Sequence, residues 1–185
     1  VLLKERSACE RGGSATLTKR IPSAAGLGGG SSDAAAALAA ANIAWDLNWN
    51  IEQLQNVAAE LGSDVPFFLS PSTGRAATMA ICRGRGEIVE PAFAPANMHF
   101  AVACPAFGLS TPEVYRHCVP SDQPRQTNAL LEALSTGDRA SAGQLMTNGL
   151  QPAVVELNSE VHDLASAFEA LRPIAHQLSG SGSAY

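Results

Sequence analysis

The apolar residues of this chain follow two rhythms. Ile51, Leu54, Val57, Ala58 and Leu61 recur at i, i+3, i+4 spacing and predict an amphipathic helix over 51–61, with Asn50 as its N-cap and Gly62 as its stop. Val154, Leu157, Val161, Leu164, Ala165 and Phe168 predict another over 154–170, interrupted near Asn158-Ser159. Shorter helices are expected at 113–118, where Thr111-Pro112 supplies a Pro at the helix start, at 128–134 and at 141–146. Residues 32–46 are dominated by Ala, the best helix former, with Leu38 and Ile43 interspersed. Looser alternation and β-branched residues predict strands at 15–21, 76–82, 87–89, 98–104 and 174–178. Arg83-Gly84-Arg85-Gly86 reads as a hairpin loop between the second and third of these. Residues 1–10 have no clear period and fit a short helix or a loop end. Pro91-Ala92-Phe93-Ala94-Pro95 reads as a linker.

Between the strand at 15–21 and the Ala-rich helix lies Pro22-Ser23-Ala24-Ala25-Gly26-Leu27-Gly28-Gly29-Gly30-Ser31-Ser32-Asp33. A glycine loop that opens a helix presents unpaired backbone N–H groups and the positive end of the helix dipole, a physical solution to binding phosphate. Ser31 or Ser32 suits the cap, and Asp33 the first turn. The bland alternative is a mobile surface loop. The run is not a Walker A loop, because no Gly-Lys-Ser/Thr closes it, and it lacks the third glycine of a dinucleotide fingerprint.

Two further places can carry chemistry. Asp64 stands between a helix end and Pro66, which favours extended backbone before it, and Phe67-Phe68-Leu69 is apolar enough to be buried. That makes Asp64 a carboxylate at the edge of a core, although a turn aspartate bonding its own backbone is commoner on local sequence alone. The second is Ser179-Gly180-Ser181-Gly182-Ser183, small and polar, either a structured loop or a flexible linker. Arg83 and Arg85 fit solvated loop charges better than an anion site. The four histidines, at 99, 117, 162 and 176, show no metal-ligand spacing, and no residue is assigned to a metal.

Composition narrows the function classes. The chain has 185 residues, 46% hydrophobic and 16% charged, which is globular. A net charge of −5 argues against a nucleic acid or an anionic membrane as the main partner. The four cysteines form no CxxC pair, and buried free thiols in a reducing cytosol are the default. The chain begins at Val1 without a Met and ends at Tyr185 as a strand is expected to start, as if cut from something longer.

The run from Pro22 to Ala36 resembles the Pro-x-x-x-Gly-Leu-Gly-Gly-Gly-Ser-Ser-x-Ala-Ala phosphate loop of the GHMP kinases. Leu61-Gly62-Ser63-Asp64-Val65-Pro66-Phe67-Phe68, Gly84-Arg85-Gly86-Glu87 and Ser110-Thr111-Pro112-Glu113-Val114-Tyr115 resemble, more narrowly, the branch acting on a cytidyl-methylerythritol in the non-mevalonate isoprenoid route. The resemblance implies an α+β fold in two parts. Residues 1–93 would be the later part of an ATP-binding domain like domain 2 of ribosomal protein S5, and residues 97–185 most of a ferredoxin-like domain, both incomplete at the outer end.

It also implies transfer of the γ-phosphoryl group of ATP, with Mg²⁺, to the 2-hydroxyl of the small-molecule substrate. Pro22, Ala25, Gly26, Leu27, Gly28, Gly29, Gly30, Ser31 and Ser32 would cradle the ATP phosphates, and Asp64 would receive the hydroxyl proton. Thr111 and Tyr115 would lie near the cytidine, and Gly180, Ser181 and Gly182 would border the active site. The implied enzyme is cytoplasmic, a monomer or homodimer, with no nucleic-acid or membrane partner. The family's Pro-Ala-Lys-x-Asn segment, which carries a lysine for the aspartate and a histidine for the cytosine, is not represented here; Lys4 and Lys19 are the only lysines. Other readings are a GHMP kinase of the homoserine or mevalonate type, or a non-catalytic nucleotide-binding fragment.

Overall fold

The computed structural model describes residues 2–69, 78–93, 98–122 and 127–185. The chain divides into two compact units, one formed by residues 1–20 and 28–93, the other by residues 21–27 and 94–185.

In the first unit, α1 (Leu2–Ser7), α2 (Gly29–Ala44), α3 (Ile51–Leu61) and α4 (Val65–Leu69) precede a two-stranded antiparallel sheet of β1 (Thr78–Arg83) and β2 (Ile88–Phe93). Helices α2, α3 and α4 pack on one another and bury Ala35, Leu38, Leu54, Val57, Ala58, Val65 and Leu69, together with Leu3 of α1. Of the stripe that predicted α3, the middle residues Leu54, Val57 and Ala58 fill the core, while Ile51 and Leu61 at its ends are exposed. A capping box starts α3: the Asn50 carboxamide oxygen accepts the Gln53 N–H at 2.9 Å, and Gln53 Oε1 accepts the Asn50 N–H at 3.0 Å. Asn42 of α2 braces the same connection, pairing with both the N–H and the carbonyl of Trp49 at 3.1 Å. The hairpin pairs Thr78 with Phe93 through to Arg83 with Ile88, so residues 91–93, read from sequence as linker, are strand.

In the second unit, α5 (Thr111–His117), α6 (Thr127–Thr136), α7 (Arg139–Leu145), α8 (Gln151–Leu157) and α9 (Ser159–Ala170) follow. Val114, Val154, Val161, Leu178 and Tyr185 form the buried centre. The expected break in the last long helix is real. Asn158 ends α8, and its side chain accepts the Val161 N–H at 3.1 Å to start α9.

Three expected strands do not form. Residues 11–20 are exposed irregular chain, with Leu17 65% exposed. Without a paired neighbour among the described residues, an alternating stretch has nothing to hold it extended. Residues 98–104 make one strand-like exchange, in which Ala103 and Tyr185 each donate an N–H to the other's carbonyl at 2.9 Å. At 174–178 the backbone of Leu178 is satisfied by side chains instead of a ladder, as described below.

Leu54→Ala should destabilise the first unit by about 2–4 kcal/mol through loss of core packing, and Asn50→Ala by about 1 kcal/mol through loss of the cap. Urea unfolding followed by tryptophan fluorescence checks both, because Trp45 and Trp49 pack against this core.

Candidate functional site

The glycine run is divided between the two units, residues 21–27 in the second and Gly28 onward in the first. Helix α2 starts earlier than its serines suggested. Gly28 is the N-cap, in the left-handed region at φ +66°, and no side chain caps the helix. Neither Ser31 nor Ser32 caps it: the Ser32 hydroxyl donates instead to the Gly29 carbonyl at 2.9 Å. Asp33 is beyond the first turn, which holds no acid, and it is ion-paired with Lys19. The first-turn amides of Gly29, Gly30 and Ser31 therefore meet no capping side chain, and the helix dipole there is not offset by an acid. That combination favours an anion.

Gly28 is needed on two counts. Its φ is positive, and a Cβ there would lie 2.8 Å from Cζ of Phe68 on α4. Gly30 is the opposite case: a Cβ would meet nothing within 4 Å. Nothing in the fold itself demands that Gly30 lack a side chain.

Asp64 lies in the same unit, exposed, on the turn that enters α4. The expectation that Pro66 holds it extended is corrected here. Pro66 sits in the first turn of α4, where a missing N–H costs nothing, and it is buried while Asp64 points to solvent. Ser63 Oγ donates to Asp64 Oδ1 at 3.1 Å. The tip of the β1–β2 hairpin lies against this carboxylate: a Cβ on Gly86 would be 3.3 Å from Oδ1. Arg83 and Arg85 pair locally, Arg83 with Glu90 at 2.9 Å and Arg85 with Glu87 at 3.7 Å. The Glu87 carboxyl is held below the usual range first by its own backbone N–H, with that of Arg85 adding to it.

In the second unit the structure gathers most of the other sequence-predicted residues. The Ala25 carbonyl accepts the Ala184 N–H at 3.0 Å, and the Gly26 carbonyl accepts the Ser179 hydroxyl at 2.9 Å. Gly26 has φ +74°, and a Cβ there would lie 2.0 Å from the Ser179 carbonyl oxygen. Gly180 faces Gly26 in turn, its own missing Cβ 3.2 Å from the Gly26 carbonyl. Thr111 and Ser181 share a hydroxyl–hydroxyl hydrogen bond at 2.8 Å. Tyr115, one helical turn beyond Thr111, is 62% exposed. Pro22 is exposed and Leu27 partly buried in the same stretch. Sequence reading missed Phe68 as the floor of Gly28, and it missed Asn148 and Gln151, whose side chains hold the 178–185 segment. Phe68, expected to be buried, is 39% exposed, so its apolarity gave no sign of this contact, and the two amides carried no local signal.

Among the described residues no group of three or more His, Cys, Asp or Glu side chains could hold a metal ion. No helix among them is long and apolar enough to cross a membrane.

The chain carrying this glycine-led, uncapped helix start and aspartate-bearing turn is similar to the GHMP kinases. Residues 1–71 match the family's N-terminal domain, described as "GHMP kinases N terminal domain". Among named relatives, the 4-diphosphocytidyl-2-C-methyl-D-erythritol kinase of Pelotomaculum thermopropionicum is 37% identical over 183 residues, 98% of this chain and 62% of that protein. The enzyme of the same name from Nocardia farcinica is 40% identical over 172 residues, 90% of this chain and 54% of its own length. A crystal structure of 4-(cytidine 5'-diphospho)-2C-methyl-D-erythritol kinase superposes with a TM-score of 0.69 at 36% identity, covering 90% of this chain and 57% of that one. The chain thus spans between half and two thirds of the length of these relatives.

The two glycines should behave in opposite ways. Gly26→Ala should cost about 3 kcal/mol or more, combining left-handed strain with a backbone overlap that cannot relax. Gly30→Ala should leave the fold intact or stabilise it by up to about 1 kcal/mol. Thermal unfolding of the two variants beside the parent chain checks this.

Proposed function

We propose that this chain carries the phosphate-binding and proton-accepting parts of a small-molecule kinase that uses ATP to phosphorylate the 2-hydroxyl of 4-diphosphocytidyl-2-C-methyl-D-erythritol, in the non-mevalonate isoprenoid pathway. The observation that carries the reading is the start of α2, where Gly28 opens a helix whose first-turn amides have no side-chain cap. Its likeness to kinases of that name supports the choice of acceptor.

Phosphoryl transfer needs positioning, charge stabilisation and a group to receive the hydroxyl proton, and little covalent help. Gly26 to Ser32 supply the first two through backbone N–H groups and the helix dipole. Asp64 orients the accepting hydroxyl and takes its proton as the new P–O bond forms; an exposed carboxylate is a weak base, so its contribution lies in orientation and in an acceptor that strengthens during attack. Ser63 fixes one carboxylate oxygen and leaves the other for the acceptor. Thr111 and Tyr115 contact the cytidine, Tyr115 by stacking, and Gly180, Ser181 and Gly182 border the substrate. Mg²⁺ would neutralise phosphate charge. The protein works in the cytoplasm, as a monomer or homodimer, without a nucleic-acid or membrane partner.

A second reading, nucleotide binding without transfer, draws on one observation. Lys19 is paired with Asp33, and Lys4 donates to the Glu10 carbonyl at 3.1 Å, so both lysines of the chain are engaged away from Asp64.

ADP release from ATP, Mg²⁺ and the cytidyl-methylerythritol, measured on this chain and on Asp64→Asn, separates the readings. The kinase reading expects product from the parent and a loss of about 100-fold or more in the variant. ATP binding with no product from either supports the second reading. No ATP binding by the folded chain overturns both.

A further inference from the structure

Asn148 and Gln151 stand at the two ends of a turn closed by the Gln151 N–H donating to the Asn148 carbonyl at 3.2 Å. The Asn148 carboxamide oxygen accepts the Leu150 N–H at 2.9 Å, which sets the orientation of the amide. Its NH₂ group then faces the terminal loop and donates to two carbonyls, Leu178 at 2.8 Å and Gly180 at 2.7 Å. Gln151 Oε1 accepts the Leu178 N–H at 2.8 Å, and its Nε2 reaches the Tyr185 hydroxyl at 3.1 Å.

Leu178 is 1% exposed, so its backbone groups must find partners inside the protein. Both are met by side-chain amides from residues some 30 positions earlier, in the place a neighbouring strand would occupy. From Leu178 the restraint passes to the next residue. The Ser179 N–H donates to the Ala184 carbonyl and the Gly182 N–H to the Ser179 carbonyl, both at 2.9 Å. The Ser179 hydroxyl then holds the Gly26 carbonyl, and the Ala184 N–H holds that of Ala25. Each link is a single hydrogen bond to a backbone atom.

We infer that Asn148 and Gln151 are positioning residues for the glycine loop: they clamp Leu178 and Gly180 so that Ser179 and Ala184 fix the backbone of Ala25 and Gly26. This rests on the proposed role of Gly26 in binding the ATP phosphates.

Asn148→Asp keeps the shape and the oxygen facing Leu150 but replaces two donors by an acceptor opposite two carbonyl oxygens. On the full chain, its Gly182 and Ala184 amides should exchange with solvent about tenfold faster, and ATP should bind about tenfold more weakly. The amides of Val57 and Ala58 in the first unit should be unchanged. Ser179→Ala provides an independent arm should Asn148→Asp not fold. It cuts only the hydroxyl link to Gly26, so ATP binding should weaken while the Leu178 amide stays protected. Faster exchange with unchanged ATP binding in Asn148→Asp, or unchanged ATP binding in Ser179→Ala, would overturn the positioning role. Unchanged exchange in Asn148→Asp would show that the clamp does not restrain the loop. Parent chain that exchanges slowly at these amides yet binds no ATP points to failure of the kinase reading itself, and the positioning role falls with it.

Discussion

At Gly26 the chain passes so close to the Ser179 carbonyl that even a methyl group would lie 2.0 Å from the oxygen. No side-chain rotation relieves such an overlap, because both partners are backbone. The second unit is built around that approach. Gly26 takes a left-handed conformation, its carbonyl is held by the Ser179 hydroxyl, and Gly180 is bare on the facing side. Ser183 is fully buried and donates to the Phe107 carbonyl at 2.5 Å, so the terminal loop is satisfied internally even where its side chains are polar.

The same economy of side chains appears in the first unit in a different form. Gly28 lies over the Phe68 ring, and the helix it opens has neither a capping side chain nor an acid in its first turn. A helix start left in that condition forgoes roughly a few tenths of a kcal/mol that a side-chain cap would add over Gly. A phosphate group would supply the missing acceptor and the missing negative charge together. Asp33, one turn further on, does not offset the dipole, because Lys19 is paired with it. The negative charge kept close to this helix start is therefore left for a ligand to bring.

How far the sequence revealed this depended on the range of each interaction. Helix α3 was legible to the residue, because its apolar stripe, its Asn50 cap and its stop at Gly62 are all local. So was the break at Asn158, where one side chain ends one helix and starts the next. The glycine loop and Asp64 were found as candidates, while their geometry was not. Serines at the head of an Ala-rich stretch suggest a cap, yet the left-handed backbone at Gly28 starts the helix before them. Pro66 suggested extended chain, yet a Pro is equally at home in a first helical turn. The strands expected at 15–21 and 174–178 failed because a strand is defined by its neighbour, and the alternation of Ile174 to Leu178 could not reveal that Gln151 and Asn148 would take the neighbour's place.

The central claim is that the first turn of α2 receives phosphate. Backbone amide chemical shifts of the 185-residue chain, followed by NMR as ATP is added, test it directly. The account expects the largest, saturable changes at Gly28, Gly29, Gly30 and Ser31, with Gly26 and Leu27 moving alongside. Saturable binding that leaves those amides unmoved and shifts residues elsewhere, or no change at any amide of the folded chain, would contradict it.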